Sequence, residues 1–365
     1  MVSTCDLGLE LVRQTAGRQP KVTLRVSPVP FCCLTLSDAD REVGMSLIVS
    51  HESALCYWLT KTGDGCVPDY ADVKTVAQVG ASMREVREAL LPIEYSEKRP
   101  LHLLVPDQQS LRSLQRVKTH LFSGRLPPGS LCELSGANYV SSPEFTFLQV
   151  AAGRTPIETL ELGYYLCGSF SIDEKGCGYT GQRAPLTTPE NIARFLDSAS
   201  GAYGVRKARS ALRYLLPNAA SPMEVLLVLA FVLPPRLGGW GFPEIQVNQR
   251  IDVDEHLRVV AEAGFFLGDI YLPSVNGDVE YDSEEFHTGR WRADHTQARR
   301  NVLEVMDVKT MSATWPQLSD FEKFRTFIWM VKERFGIPHR TFTPQEITAQ
   351  VSLYEHLTDF GRKLF

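Results

Sequence analysis

Three acidic residues late in the sequence, Asp269, Glu280 and Asp282, are candidates for a metal site. Glu280 and Asp282 are two residues apart, so both side chains project from the same face if this segment is a strand. Carboxylates held close together repel one another, and a divalent cation removes that repulsion. Hard oxygen ligands favour Mg²⁺ or Mn²⁺. The spacing therefore predicts a Mg²⁺ or Mn²⁺ site with Asp269, Glu280 and Asp282 as its ligands.

Two predicted strands would bring these acids together. The segments 265–272 and 278–282 are apolar and rich in β-forming residues, and a turn containing Pro273 and Gly277 separates them. Asp269 would lie on the first strand and the other two acids on the second. A hairpin of this kind predicts that the three carboxylates converge.

A histidine and a group of arginines follow the acids. His287 precedes a predicted helix over 290–306. Four arginines lie on that helix: Arg290, Arg292, Arg299 and Arg300. A metal can polarise a phosphodiester, an imidazole can move a proton, and guanidinium groups can bind phosphate. These residue types together favour phosphodiester hydrolysis, with His287 as acid or base and the arginines on nucleic acid.

The same residues also admit a purely structural interpretation. Glu280 and Asp282 could be exposed strand acids that pair with Arg290 and Arg292. The arginines could equally form a solvated helix face, balanced by neighbouring acids. The sequence alone leaves these alternatives open.

The order of these residues resembles the core of the very-short-patch-repair endonuclease-like families of the PD-(D/E)XK superfamily. The similarity lies in Asp269, then Glu280-Tyr281-Asp282, then His287, then Arg299-Arg300 with Leu303. The resemblance implies a strand–strand–helix–strand–helix unit that acts on DNA. It also implies that Asp269 is a metal ligand, Glu280 the second acid, and His287 the base or a phosphate contact.

Length, composition and charge set broader limits. A chain of 365 residues with 44% hydrophobic and 22% charged residues is typical of a globular protein of two or three domains. Its net charge of −5 argues against a protein that coats nucleic acid indiscriminately, although a local basic face remains compatible. No apolar run reaches the ~20 residues of a membrane helix, and the N-terminus lacks the pattern of a signal peptide. We therefore expect a cytoplasmic protein without a membrane partner.

The front half of the chain resembles AbiEi-type regulators, which are bacterial proteins with a nuclease-like tail. The similarity is carried by the segments SHESALCYW, KTHLFSG and YVSSPEFTFLQVAA, in that order. It implies a toxin or another defence-system protein as a partner. His51, in the first of these segments, is either a ligand or a residue of a helix-capping region. Elsewhere in this half we predict strands over 101–105, 120–122 and 131–134, and a helix over 71–91.

A helical region follows over 151–243, with a glycine-rich loop at 176–181. Its helices are predicted to start at Thr155-Pro156, Thr188-Pro189 and Ser221-Pro222, because Ser or Thr caps a helix and Pro suits its first position. A second candidate phosphate surface, formed by Arg206, Lys207 and Arg209, lies on the helix predicted over 204–216. A solvated helix face is the alternative for these basic residues.

The predicted fold is α/β (α+β) in four parts. These are an N-terminal mixed α/β region over 1–150, a helical layer over 151–243, a restriction-endonuclease-like PD-(D/E)XK domain over 244–338 and a C-terminal helix over 339–365. The expected function is metal-dependent hydrolysis of DNA phosphodiester bonds in bacterial defence or DNA repair. The alternative is a catalytically inactive AbiEi-like antitoxin or transcriptional regulator, in which the nuclease fold is a scaffold for DNA or protein.

Overall fold

The structure, a computed structural model, describes residues 46–63, 67–73, 82–111, 113–173, 178–282 and 290–359. The side chains of 113–114 and 290–295 lie outside the description as well. All described residues belong to the compact unit Gly44–Phe365. Helices and sheets alternate along this unit, so the mixed α/β class predicted from the sequence is confirmed.

A seven-stranded sheet forms the first part of this unit, with strand order β2-β6-β7-β1-β3-β5-β4. Its strands are β1 (Ile48–Val49), β2 (Tyr70–Ala71), β3 (Leu101–Val105), β4 (Ser113–Leu114), β5 (Val117–Leu121), β6 (Leu131–Ser135) and β7 (Asn138–Ser141). Strand β1 pairs in parallel with β7 and antiparallel with β3. Helices α1 (His51–Thr60) and α3 (Pro143–Ala151) contact each other beside this sheet.

The helix predicted over 71–91 is wrong in its length. Tyr70–Ala71 is instead an edge strand that pairs with β6, and α2 spans Met83–Glu88. The part of the prediction over 74–81 lies outside the described residues. A capping box fixes the start of α2, because Ser82 accepts a hydrogen bond from the Glu85 N–H and the Glu85 carboxylate accepts one from the Ser82 N–H.

The helical layer contains α4 (Pro156–Cys167), α5 (Pro189–Ser198), α6 (Val205–Leu212) and α7 (Pro222–Val232). Helices α4, α5 and α7 begin at the predicted Ser-Pro or Thr-Pro steps, and each hydroxyl caps its helix. The loop predicted at 176–181 is wrong in part. A short hairpin of β8 (Phe170–Ile172) and β9 (Tyr179–Gln182) lies there, with 174–177 outside the described residues. Strands this short leave little periodic signal in a sequence.

A four-stranded sheet forms the last part of the unit. Its strands, in the spatial order β10-β11-β12-β13, are β10 (Gln246–Asp252), β11 (Phe265–Leu272), β12 (Gly277–Asp282) and β13 (Lys309–Thr314). The first three are antiparallel neighbours, whereas β12 and β13 are parallel. Helix α8 (Arg258–Ala261) precedes β11, and helix α9 (Arg290–Val305) connects β12 to β13. The hairpin and the following helix agree with the prediction.

Three further helices complete the chain: α10 (Trp315–Leu318), α11 (Phe321–Phe335) and α12 (Pro344–Thr358). A capping box formed by Thr343 and Glu346 opens α12, within the C-terminal helix predicted over 339–365. Helix α11 packs closely on the four-stranded sheet. The approach is so close that a Cβ on Gly277 of β12 would lie 3.0 Å from the ring of Phe335 on α11. Phe335 therefore packs against the first residue of β12, the strand that carries Glu280.

One continuous cluster of buried apolar residues extends from Leu47 to Leu357 and joins both large sheets through the helical layer. Trp58, Phe231 and Phe327 are among its fully buried side chains. Each large apolar side chain buried in this way contributes roughly 1.5–3 kcal/mol. The predicted boundaries after 150, 243 and 338 remain predictions. Among the described helices, none combines the length and the apolar character that crossing a bilayer requires.

Candidate carboxylate site

The antiparallel register of β11 and β12 brings acidic residues together. Tyr271 lies opposite Asp278, and continuing this register places Asp269 beside Glu280. Asp278, Glu280 and Asp282 alternate along β12, so they project from the same face of the strand. The register thus places Asp269 beside Glu280 on neighbouring strands, and Asp278 and Asp282 lie on either side of Glu280 along β12.

Asp269 is held by the backbone of the neighbouring strand. Its Oδ2 accepts a hydrogen bond of 2.8 Å from the Tyr281 N–H. Burial raises the pKa of Asp269 to about 7, and the charges of Glu224 and Glu280 act in the same direction, while the Tyr281 N–H and the Arg299 guanidinium lower it. The site therefore disfavours the charged form of this carboxyl group.

Asp278 is the most deeply buried acid of the site, with 0% of its surface exposed. Among the described residues, neither of its carboxylate oxygens has a hydrogen-bond partner. Burial, followed by the charges of the nearby Glu280 and Asp269 carboxylates, raises the pKa of Asp278 to about 8 against the opposing Arg299 charge. A buried carboxylate without a donor is costly, because desolvation is not offset by hydrogen bonds.

Glu280 and Asp282 are both paired with arginines of α9. An Arg299 Nη2–H donates to Glu280 Oε1, and Arg300 Nη2 lies 3.8 Å from Asp282 Oδ2. Arg300 also donates a 3.2 Å hydrogen bond to the Ser312 hydroxyl on β13. The Glu280 and Asp282 side chains are only 21% and 25% exposed, so these are half-buried ion pairs at the centre of the sheet.

Glu224, at the start of α7, adds a fifth carboxylate near this group. It accepts hydrogen bonds of 2.8 Å from the Ala220 N–H and 2.7 Å from the Asn248 side-chain amide. Burial raises the pKa of Glu224, and its charge is the second largest contribution to the raised pKa of Asp269. The helical layer thus contributes directly to the electrostatics of the strand acids.

The chemistry of these oxygen donors suits a hard divalent cation. Asp269, Asp278 and Glu280 offer carboxylate oxygens, and Gly268 leaves room beside Asp278 that a Cβ would fill. However, no set of three or more His, Cys, Asp or Glu side chains in the described part of the chain is arranged to hold a metal ion. Glu280 would have to leave Arg299 before it could serve as a metal ligand.

Three of the predicted site residues cannot be placed in the site. His287 lies outside the described residues, and so do the side chains of Arg290 and Arg292, which occupy the first turn of α9. The pairing of strand acids with Arg290 and Arg292 that the sequence left open is therefore untested, whereas the pairs observed are with Arg299 and Arg300.

The second basic surface, on α6, is largely engaged in the fold. Lys207 Nζ donates to the carbonyl oxygens of Ala152 and Arg154, at 3.2 and 2.5 Å. Arg209 donates to Asp197 Oδ1 at 2.8 Å. Arg206 is exposed. Lys207 and Arg209 thus bind the ends of neighbouring helices, as basic residues near helix C-termini commonly do.

Sequence reasoning missed Asp278 and Glu224. The alternation of acids along 278, 280 and 282 is a signal that could have identified Asp278, because a period of two marks one strand face. In the sequence, Glu224 has the pattern of an acid that stabilises the first turn of a helix. The residues around it do not indicate that it approaches Asp269.

Comparisons of this chain with protein families, with curated proteins and with solved structures yield no match. Interpretation of the site therefore rests on its own residues and their geometry.

Proposed function

We propose that this protein is a divalent-metal-dependent nuclease that hydrolyses DNA phosphodiester bonds, in bacterial defence or DNA repair. The observation that carries the proposal is the position of Asp269 and Glu280 on adjacent antiparallel strands. Asp278 lies on the same face of β12 as Glu280, and its carboxylate has no hydrogen-bond partner within the described ranges of the chain. Buried, mutually repelling carboxylates are costly to maintain and are frequent at functional sites. A bound cation would offset that cost.

The order of elements around the site supports this proposal. Strands β11 and β12, helix α9 and strand β13 follow one another in the chain, and the short helix α10 separates β13 from helix α11. This is the strand–strand–helix–strand–helix order that the resemblance to PD-(D/E)XK nucleases implies. Asp269 lies on β11, Glu280 and Asp282 lie on β12, and α9 carries Arg299 and Arg300, which pair with the acids of β12.

The roles of the individual residues follow from their chemistry. Asp269, Asp278 and Glu280 would hold Mg²⁺ or Mn²⁺, with Asp282 as a further ligand or a supporting acid. A bound cation would polarise the phosphodiester and lower the pKa of an attacking water. Arg299 and Arg300 would neutralise phosphate charge. His287 is the proposed proton-transfer residue, as the sequence predicted.

The proposal is tested by a cleavage assay on single- and double-stranded DNA and RNA, with Mg²⁺ or Mn²⁺ and with chelator. We expect cation-dependent cleavage of DNA and a loss on the order of 10²-fold or more in Glu280→Gln and Asp269→Asn. Asp252→Asn is the matched control, because Asp252 lies in the same sheet but pairs with Arg250 at 2.7 Å. Asp269→Asn that cleaves at the wild-type rate would disprove the proposed catalytic role.

The Glu280–Arg299 ion pair also supports a second candidate function. A carboxylate neutralised by a guanidinium needs no metal, which suits an inactive nuclease fold that serves as a DNA-binding antitoxin or regulator with a toxin partner. This candidate predicts DNA binding that persists in chelator and in Glu280→Gln, without cleavage. A gel-shift assay run beside the cleavage assay separates the two functions.

A further inference from the structure

A cavity of about 390 Å³ lies between the β2 edge of the seven-stranded sheet and helix α5. Tyr70 and Pro128 line it on the sheet side, and Arg194 and Phe195 line it on α5. Glu144, in the first turn of α3, is the most deeply buried of its lining residues, with 4% of its surface exposed. Binding sites for small molecules occupy roughly 300–1,000 Å³, so this cavity can admit a small organic ligand.

The carboxylate of Glu144 is held by two hydroxyl groups. The Tyr70 hydroxyl donates to Oε1 at 2.9 Å and lies 3.1 Å from Oε2. The Thr187 hydroxyl also donates to Oε1. Each carboxylate oxygen can accept two hydrogen bonds, so Oε2 retains an accepting position. A ligand with one N–H donor can use that position while both hydroxyl groups stay in place.

The negative charge of Glu144 is not balanced by a side-chain cation in the part of the chain that the structure describes. Its hydrogen-bond partners there are neutral hydroxyls. The start of α3 contributes only partial positive charge. Glu190 occupies the equivalent position of α5, also directly after a Pro, and it is exposed, so this role at a helix start needs no burial. A buried charge without a partner is costly, and a cationic ligand would offset that cost.

Arg194 is the second charged group that lines the cavity. It is exposed, and its Nη2 donates to the Asn191 side-chain oxygen. The guanidinium carries further N–H groups, which can donate to a carboxylate. Tyr70 and Phe195 add aromatic surface to the same cavity. The lining therefore combines an anionic group, a cationic group and apolar surface.

We propose that this cavity binds an α-amino acid with an apolar side chain, whose ammonium group donates to Glu144 and whose carboxylate accepts from Arg194. An ammonium group fits the remaining position on Oε2, whereas the planar fork of a guanidinium is suited to two acceptors. The Tyr70 and Phe195 rings would contact the side chain of the ligand. None of these residues belongs to the carboxylate site on β11 and β12, and the proposal does not depend on nuclease activity.

The inference is tested by isothermal titration calorimetry of the full-length protein with L-leucine, N-acetyl-L-leucine and L-leucinamide. The acetyl compound lacks the ammonium group, so we expect its affinity to be lower by about tenfold or more. The amide lacks the carboxylate, and we expect a loss of roughly two- to fivefold because Arg194 is exposed. No saturable binding of L-leucine up to about 10 mM, or equal binding of the acetyl compound, would overturn the proposal. Equal binding of L-leucinamide would reject the contact with Arg194.

Variants assign the binding to individual residues. Glu144→Gln keeps the shape of the side chain and removes its charge, so we expect L-leucine to bind about tenfold or more weakly. Glu190→Gln is the matched control, because it removes the same charge from the equivalent helix position outside the cavity, and its effect should stay within about twofold. Arg194→Gln should weaken L-leucine but leave L-leucinamide unchanged.

The same loss of affinity in Glu144→Gln and Glu190→Gln would contradict the role of Glu144. Thermal unfolding without ligand establishes that each variant is folded before binding is measured. If Glu144→Gln does not fold, the three ligands on the wild type still decide whether an ammonium group is recognised, and Arg194→Gln changes only an exposed side chain.

Discussion

The carboxylate of Asp278 occupies the space beside Gly268 that any other residue would need for its Cβ. An ideal Cβ on Gly268 would lie 2.6 Å from Asp278 Oδ1 and 2.7 Å from Asp278 Cγ. Both distances are shorter than van der Waals contact, so a side chain at 268 and the present position of Asp278 exclude each other. Gly268 on β11 is thus required by an acid on the neighbouring strand.

This relationship predicts the outcome of a double-mutant cycle. Gly268→Ala should lower the free energy of unfolding by about 1–3 kcal/mol, because overpacking a buried site forces its neighbours to move. In an Asp278→Ala background the same substitution should cost far less, since the opposing carboxylate is gone. Urea denaturation of the wild type, both single variants and the double variant gives the four free energies of the cycle.

Gly264→Ala is the control for this cycle, because a Cβ built on Gly264, just before β11, meets no atom of the described residues within 4 Å apart from its own chain neighbours. Its effect should stay within about 0.5 kcal/mol. An equal cost of Gly268→Ala with and without Asp278 would contradict the proposed contact.

A second cluster of titratable groups lies beside the seven-stranded sheet. The rings of His51 and His120 stack with centroids 3.6 Å apart. His102 Nδ1 lies 3.1 Å from His120 Nε2 and 2.8 Å from Glu52 Oε2. Burial, followed by the charges of neighbouring histidines and Lys118, lowers the pKa of His51 to about 3 and that of His120 to about 4, against the opposing Glu52 charge. His51, which the sequence left open between ligand and capping residue, is thus packed in an imidazole cluster.

The lowered pKa values of the two histidines predict sensitivity to acid. Between about pH 4 and pH 6.5 the unfolded chain binds protons that the folded histidines reject, so stability present above pH 6.5 is lost as the pH falls. His120→Phe keeps a stacked ring but removes one titrating group. We expect it to reduce the slope of unfolding free energy against pH by up to about 1.4 kcal/mol per pH unit.

Denaturant unfolding at several pH values above about 4.5 measures this slope. Burial would raise the pKa of Glu52, but the hydrogen bond and the charge of His102 lower it to about 2. The contribution of Glu52 to stability is therefore lost only at pH values below the measured range. The raised pKa values of Asp269 and Asp278 give a slope of opposite sign, which His120→Phe leaves unchanged. If the unfolding free energy of the variant and of the wild type had the same slope against pH, the lowered pKa of His120 would be contradicted.

Local signals in the sequence were sufficient for much of this architecture. Thr155, Thr188 and Ser221 each precede Pro, and each caps the helix that begins there. The hairpin of β11 and β12 was predictable because β-forming residues flank a turn with Gly277. These features depend on interactions within a few residues, which a single sequence displays directly.

The remaining features of the site depend on packing between distant segments. Glu224 approaches Asp269 only because α7 packs near β11. Arg299, among the arginines of α9, pairs with Glu280 because of the way the helix lies over the sheet. Helical periodicity identifies which residues share a face, but it does not determine which of them meets a given strand residue. The burial of Asp278 likewise requires the assembled sheet.

Asn276 ties the turn of the hairpin to the start of β13. Its backbone is in the left-handed region, with φ of 46°. Its side chain accepts a 2.7 Å hydrogen bond from the Tyr271 hydroxyl and donates a 2.9 Å hydrogen bond to the Asp307 carbonyl oxygen. Its carbonyl oxygen accepts a further bond from the Lys309 N–H. The residue therefore sets both the turn and the strand that follows α9.

Two substitutions separate the backbone and side-chain contributions of Asn276. Asn276→Gly keeps the left-handed conformation and loses two side-chain hydrogen bonds, so we expect a cost of about 1–3 kcal/mol in unfolding free energy. Asn276→Ala loses the same bonds and adds strain of roughly 1 kcal/mol, because a Cβ disfavours positive φ. Chemical denaturation should therefore rank the wild type above Asn276→Gly and Asn276→Ala lowest. If the alanine variant matched or exceeded the glycine variant, the left-handed backbone would not be what selects asparagine here.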